Sequence, residues 1–399
     1  MRGLLYGTQL DPSAPPPLDA TPMQLVDLAD PEPLADDWVV LHTSLCGICG
    51  SDAKQVFGDG EPDNAMTALI SFPQVLGHEV VATVDRAGPA ASIEPGTRVV
   101  LNPWLSCAPR GFGDDPCAAC AAGDLAQCHR FSQGPVAVGI HTGTSADATG
   151  GFAELLPAHE SMCVPVPEDV TDEQAVLADP FSVALHAILR HPPHAGGRAL
   201  VYGAGALGSM SVEILRALYP TVEVAAVARF DAQAALADRR GAIVFRPDDD
   251  LALVEGIAVW AGGTLRQPFA GLPFTHPGGV DMIYDTVGST NTLEIGVRVT
   301  APRGRIVVTG VATPGRFEWT PWYFKELVIV GSNAFGIEEL GGVRQHAIRH
   351  YLDLVRDGTI DVGDVLTHTF PLDRWHDAFL ALTDQAASGA VKVAFDHRA

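Results

Sequence analysis

The stretch CGICGSDAKQ, residues 46–55, carries Cys46 and Cys49 in C-x-x-C spacing, followed by Ser51, Asp52 and Lys54. Such a pair can be a redox disulfide, half of a structural zinc site, or the surroundings of one functional thiolate. A second cysteine set lies further on. Cys107, Cys117, Cys120 and Cys128 fall together in CAPRGFGDDPCAACAAGDLAQC. Four thiols this close suit a closed tetrahedral zinc site, structural in role because the loop has little core of its own. Disulfides or reactive thiols are the alternative. Gly77-His78-Glu79 and Asp179-Pro180 add an imidazole and carboxylates. A thiolate, an imidazole and carboxylates form a mixed donor set that leaves one coordination position open, as a catalytic metal requires.

A third chemical feature is Gly203-Ala204-Gly205-Ala206-Leu207-Gly208, which reads G-x-G-x-x-G. It follows the short apolar run ALVYG and opens the helical pattern SMSVEILRALY. In that context Gly203 permits the tight turn and Gly205 lets the backbone approach a pyrophosphate. Gly208 lets helix and strand pack closely, and the helix start at Ala206 and Leu207 faces the phosphates. The next strand, TVEVAAVAR, ends on Ala228-Arg229-Phe230-Asp231. An acid at that end would bind a ribose 2′-hydroxyl. A small residue and then Arg229 suits a 2′-phosphate instead, with Arg239 and Arg240 as possible additions. NADP is therefore favoured over NAD. Glu223 sits too near the strand's start for the ribose, and Asp231 keeps NAD open.

Elements must hold these groups in place. Alternating segments such as 38–45 and 79–88 predict strands, and dense Gly and Pro over residues 1–165 predict a β-rich part. From residue 182 the pattern changes. The helical run 182–191 precedes a strand–turn–helix–strand unit, and further strands are predicted at 242–246, 279–288, 304–310 and 326–332. Residues 346–358 read as a helix. The predicted fold is α/β: a doubly wound parallel-sheet domain at 185–332, inserted in a split β-rich domain at 1–184 and 333–399. The cysteine lobe lies near 103–130.

The 399 residues carry a net charge of −23, with only three lysines. That balance disfavours nucleic acid and anionic membrane surfaces as partners. No apolar run is long enough to span a bilayer, and the first residues lack the apolar stretch of a secretory leader. A cytoplasmic location is expected, where clustered cysteines point to metal or catalysis before disulfides.

Together these motifs resemble the zinc-dependent medium-chain dehydrogenases, the group of alcohol, sorbitol and threonine dehydrogenases. The likeness spans nearly the whole chain and rests on ICGSD, GHE, the cysteine lobe, the DP element, GAGALG and KELVIVGS. It implies a Rossmann-type domain inserted in a GroES-like catalytic domain, and reversible hydride transfer between an alcohol and NADP or NAD. It implies catalytic zinc on Cys49 and His78, with Glu79 and Asp179 as direct or water-linked ligands. Structural zinc would sit on Cys107, Cys117, Cys120 and Cys128. Ser51 would hydrogen-bond the substrate oxygen, and Asp52 would orient His78. Cys46 has no counterpart among the ligands and is expected to pack.

Two departures stand out. The gaps between the lobe cysteines are nine, two and seven residues, where relatives have two, two and seven. The extra APRGFGDDP reads as a surface loop that leaves zinc in place. Lys54 stands where many relatives carry a proton-relay histidine, so it is either a relay member or a substrate or cofactor contact. Small alcohols and carbonyls are the expected substrates. The segment 317–332 at the sheet edge implies a homodimer or homotetramer. Two rivals remain: a zinc-independent NADP-dependent enone or quinone reductase, and a non-enzymatic thiol or zinc sensor.

Overall fold

A computed structural model of the chain describes residues 1–7, 18, 21–58, 64–246, 248–312 and 315–398. The short proline run at 15–17 lies outside the described residues. The chain forms two compact units. One comprises residues 1–182, 335–358 and 366–399, and the other 183–334 with 359–365. The short return of 359–365 to the second unit was not anticipated.

The first unit is built on a sheet whose longest member is Trp38–Gly47. Its apolar residues are almost all buried, so it forms the centre of the sheet rather than an alternating edge. Glu79–Ala87 pairs with it antiparallel along most of its length, followed by Arg98–Leu101 and Cys163–Pro165. On its other side lie Leu155–His159 and the C-terminal strand Lys392–Asp396. The register sets Gly47 opposite Glu79 and opposite Ala394. Residues that are hundreds of positions apart in sequence thereby meet at one end of one sheet.

The cysteine lobe leaves this sheet after Leu101. The expectation for the extra APRGFGDDP segment needs correction. Residues 111–116 are largely exposed, but Pro109 and Arg110 are buried. Arg110 has no exposed surface. Its guanidinium donates to five carbonyls: Leu105 at 3.0 Å, Gln133 at 2.9 Å, Val136 at 2.8 Å, Ala137 at 3.2 Å and Gly139 at 2.8 Å. A buried charge is tolerable when every donor is satisfied, and a planar fork with five N–H groups matches this ring of carbonyls. Arg110 thus ties the lobe to residues 133–139, the segment that leads directly to His141.

The second unit is a six-stranded parallel sheet. Its order is Ile243–Phe245, Glu223–Val227, Arg198–Tyr202, Val280–Asp285, Thr300–Val308 and Val328–Gly331. This is the 3-2-1-4-5-6 order of the doubly wound dinucleotide fold, with the sequence switching direction beside Arg198–Tyr202. The helix Ala206–Leu218 follows that first strand directly. Among the described residues no helix is long and apolar enough to cross a membrane.

Replacing Arg110 with methionine keeps the volume but strands the buried carbonyls of Leu105, Val136 and Gly139, each costing about 1–3 kcal/mol when unpaired. A large drop in the thermal midpoint is expected, with Arg110→Lys intermediate because an ammonium has only three donors. Differential scanning calorimetry reads both.

Candidate active site

The helix Gly50–Phe57 begins on Cys49, which is its N-cap. Asp52 Oδ2 accepts from Cys49 N at 2.9 Å and closes the cap. ICGSD is therefore first of all a helix start that fixes the Cys49 thiol. His78 and Glu79 enter the strand Glu79–Ala87 from Gly77, which has a φ of +92°. A Cβ on Gly77 would lie 2.4 Å from Phe152 Cδ1 and 2.7 Å from Cys46 Sγ, so only glycine fits the turn. Cys46 is fully buried there, and burial pushes its thiol well above the ordinary value. It packs; it does not pair with Cys49, and both are free thiols.

One ligand atom from each of Cys49, His78 and Glu79 lies within 4.8 Å of the others. Asp179, in the first turn of the helix Ala178–Arg190, stands outside that set but is buried nearby, with Oδ2 lacking any hydrogen-bond partner. Asp52 does not hydrogen-bond His78. Its Oδ1 is 3.7 Å from His78 Nδ1, and that nitrogen is buried without a hydrogen-bond partner. The expected orienting contact is thus an electrostatic one.

The charges around this cluster are not balanced by protein cations alone. Burial pushes Asp179 up to about 7, with Glu79 and Asp52 adding to the rise. Burial likewise raises Asp52. Burial also disfavours an imidazolium at His78, but Asp52, Cys49 and Asp179 outweigh it and push His78 well above its ordinary value. A site that draws protons onto its histidine and one of its acids is one that a divalent cation would fill, displacing those protons. The unpartnered Asp179 oxygen fits the same reading.

The cysteine lobe passes a similar test. One sulfur from each of Cys107, Cys117, Cys120 and Cys128 lies within 4.8 Å of the other three. Backbone N–H groups point at them: Cys117 N to Cys107 Sγ at 3.3 Å, His129 N to Cys117 Sγ at 3.4 Å, and Arg130 N to Cys128 Sγ at 3.3 Å. Burial opposes ionisation of Cys117, but the N–H groups of Cys120 and His129 prevail and hold it down at about 6. Burial pushes Cys120 up to about 11 and Cys128 higher still. All four ionise together only around a cation.

Sequence reasoning missed two groups. Lys392 is buried, forms an ion pair with Glu79 Oε2 and donates to Ile48 O at 2.9 Å. Gly47 makes room for the pair, since a Cβ there would meet Glu79 Oε2 and Lys392 Cε. Burial disfavours the Lys392 ammonium, yet Glu79 and Cys49 overcome this and raise it further. The second is His141, whose ring centroid lies 4.5 Å from that of His78. Burial, helped by the charge on His78, pushes it down to about 3. Neither residue belongs to a local motif. Only the scarcity of lysine hinted at Lys392.

Ser51 is exposed and Lys54 half-buried on the Gly50–Phe57 helix. The Lys54 side chain has no partner among the described residues.

In the other unit the glycine turn has the geometry its spacing implies. Gly203 has a φ of +93°, and a Cβ on Gly208 would lie 1.8 Å from Gly203 O. A Cβ on Gly205, the N-cap of Ala206–Leu218, would meet only Gln233 Nε2 at 3.9 Å, leaving open the space a pyrophosphate would take. Arg229 is exposed, with its guanidinium 5.4 Å from the Phe230 ring. Glu223 is paired with Arg198 at 2.9 Å and Asp231 with Arg246 at 2.5 Å. Arg239 and Arg240 both pair with Asp364, so the expectation that they add to a 2′-phosphate site is not supported.

Residues 35–168 match the alcohol dehydrogenase GroES-like domain, and residues 206–354 match the zinc-binding dehydrogenase domain, together well over half of the chain. The chain belongs to the zinc-dependent medium-chain dehydrogenases. It is 28% identical to (R,R)-butanediol dehydrogenase of Saccharomyces cerevisiae, over 91% of this chain and 92% of the relative. It is 27% identical to D-arabinitol dehydrogenase 1 of Uromyces fabae, over 91% of each. Among solved structures, the alcohol dehydrogenase RspB of Escherichia coli CFT073, complexed with NADH, superposes with a TM-score of 0.73 at 25% identity, over 99% of both chains. The chain is thus an NAD(P)-dependent, zinc-type dehydrogenase acting on CH–OH groups, and neither rival reading stands.

Losing Lys392 leaves Glu79 buried beside other acids without its cation. Removing one member of a buried pair costs about 3–5 kcal/mol. Lys392→Met is expected to lower the thermal midpoint of chelator-treated enzyme strongly. The loss is expected to be smaller when zinc is restored, because a metal offers Glu79 a second cation.

Proposed function

We propose that this dehydrogenase oxidises a secondary alcohol of a small polyol or vicinal diol, and reduces the matching ketone, with NADP as the preferred dinucleotide. The observation that carries the reading is the mixed donor set of Cys49, His78 and Glu79, whose ligand atoms lie within 4.8 Å of one another. The diol and polyol substrates named for two relatives that match along the chain support the substrate class.

Cys49 and His78 would hold the catalytic zinc, with Glu79 or Asp179 completing the protein ligands. Bound there, zinc supplies a Lewis acid for the substrate oxygen. A bound nicotinamide would supply the hydride acceptor or donor for the carbinol carbon. Ser51 would relay the alcohol proton, its oxygen accepting it while its own proton passes on. Lys54 stands three residues further along the same helix, hence on the same face, and is the next polar group: a relay member only as the neutral amine, otherwise a substrate or cofactor contact. Cys107, Cys117, Cys120 and Cys128 would hold the structural zinc.

The preference for NADP rests on Arg229. It is the exposed cation at the end of Glu223–Val227, while Glu223 and Asp231 are engaged by other arginines. Gly203, Gly205, Ala206, Leu207 and Gly208 would hold the pyrophosphate.

We read the protein as a cytoplasmic homo-oligomer. Val328–Gly331 is an edge strand, and beside it Trp319, Tyr323 and Phe324 are 59%, 83% and 54% exposed. An open edge flanked by exposed aromatics is a surface that another chain covers.

Metal analysis is expected to find two zinc ions per chain, and one in Cys49→Ala, with turnover of a diol panel lost in that variant. Cys49→Ala enzyme with near-normal turnover would sink the assignment. In the same panel Arg229→Ser is expected to lose about tenfold or more in kcat/KM with NADP and little with NAD, as a lost charge-assisted contact implies. Light scattering is expected to return a dimer or tetramer; a mass near 42 kDa refutes the oligomer.

A further inference from the structure

The residue that neither the motifs nor the metal cluster accounts for is His141. Its backbone is held on several sides. Thr144 Oγ1 donates to His141 O at 2.7 Å, and His141 N lies 3.2 Å from the same hydroxyl. Residues on either side of it are also fixed: Leu105 N donates to Ile140 O at 3.1 Å, and Thr142 N to Pro103 O at 2.8 Å. The ring is T-shaped against Trp104, with centroids 5.7 Å apart. Behind it, Arg110 gathers the carbonyls of residues 133–139. A side chain ordered to this degree beside a metal ligand is pre-organised for a contact rather than resting in solvent.

Its chemistry follows from one hydrogen bond. His141 Nδ1 lies 2.7 Å from Thr142 O. A carbonyl oxygen only accepts, so Nδ1 carries the proton, and in the neutral ring Nε2 is left with a lone pair. No donor reaches Nε2 among the described residues, and His141 is only partly covered. Its nitrogens fall outside the set formed by Cys49, His78 and Glu79. The structure therefore holds a fixed, unclaimed hydrogen-bond acceptor one ring away from His78.

We propose that His141 Nε2 accepts a hydrogen bond from the hydroxyl on the carbon next to the reacting one, and so selects vicinal diols and polyols over simple alcohols. The proposal rests on the reading of Cys49 and His78 as the reacting centre. The neighbouring hydroxyl of a substrate bound there lies one carbon beyond the reacting oxygen. It is a donor, which an acceptor-only nitrogen discriminates from a methyl, an ether or a second carbonyl. A site built around such a contact rejects the analogue that lacks it, because an acceptor desolvated by the bound substrate is then left unpaired.

The test compares zinc-loaded wild-type enzyme on butane-2,3-diol, butan-2-ol and 3-methoxybutan-2-ol, then repeats the set with His141→Phe and His141→Gln. Wild type is expected to prefer the diol by about tenfold or more in kcat/KM over both other alcohols. His141→Phe is expected to bring the diol-to-alcohol ratio near one with both zinc ions kept. His141→Gln, whose amide oxygen still accepts, is expected to restore part of the ratio. A general packing role would lower all three substrates together and leave the ratio unchanged, which overturns the proposal. Wild type that handles the diol and its methyl ether equally also overturns it, whatever the variants do. If wild type turns over none of the three alcohols, the diol reading of the function fails together with this one. Turnover of all three without a diol preference fails only the assignment of His141.

Discussion

The structure turns on an excess of buried negative charge. Asp52, Glu79, Asp179 and the Cys49 thiol are crowded around His78, all in one unit, and all but Cys49 are buried. Charges of one sign do not persist in a low-dielectric interior unless they are neutralised, by protons, by a protein cation or by a metal. In this chain a protein cation does part of this: Lys392 neutralises Glu79, while Asp179 keeps a buried oxygen without a partner. Burial raises Asp52 and Asp179, whereas the neighbouring acids and Cys49 raise His78 against its own burial.

That constraint dictates much of the surrounding architecture. A cluster of acids can be kept only if its supports are stiff, and the supports here are places where no side chain fits. Gly47 leaves space for the Glu79–Lys392 pair, and Gly77 turns under Phe152 and Cys46 to deliver His78. The pairing of Trp38–Gly47 with both Glu79–Ala87 and Lys392–Asp396 brings ligand, partner acid and cation together. The lobe is a second, independent case. Its four sulfurs and the N–H groups aimed at them form a unit that carries little apolar packing of its own, and the cysteines are its core.

Legibility in the sequence followed locality. The glycine turn, the strand before it and the helix after it are contiguous, and Gly203 makes the tight turn and Gly208 the close packing their spacing implies. The four lobe cysteines and the mixed set of Cys49 with GHE were readable for the same reason: few residue types have that chemistry at that spacing. Groups defined only by the fold were not readable. Lys392 meets Glu79 across 313 residues, a contact that strand order alone creates. His141 looks like any loop histidine until Trp104 and His78 are seen against it. Arg110 was hidden by its company: proline, glycines and aspartates around it spell surface loop, yet it is the most thoroughly bonded side chain in its region. Arg239 and Arg240 erred the other way, since cations near a predicted phosphate site proved to be engaged by Asp364.

The division between lysine and arginine sharpens the point. With 25 cations of which three are lysines, this chain uses lysine almost only where the charge is enclosed: Lys325 and Lys392 are both buried. Each ammonium meets a small, converging set of oxygens. Lys325 donates to the carbonyls of Arg298 and Thr300, and Lys392 meets Glu79 and Ile48 O. Arg110 does the opposite job, spreading one charge across five carbonyls of two chain segments. A compact ammonium suits a point where charge must be concentrated beside a buried acid; a guanidinium suits a frame that must be held open and flat. The two cations are therefore not interchangeable here. Lys392 bears on the charge of the site, and Arg110 on the shape of the segment that carries His141 to it.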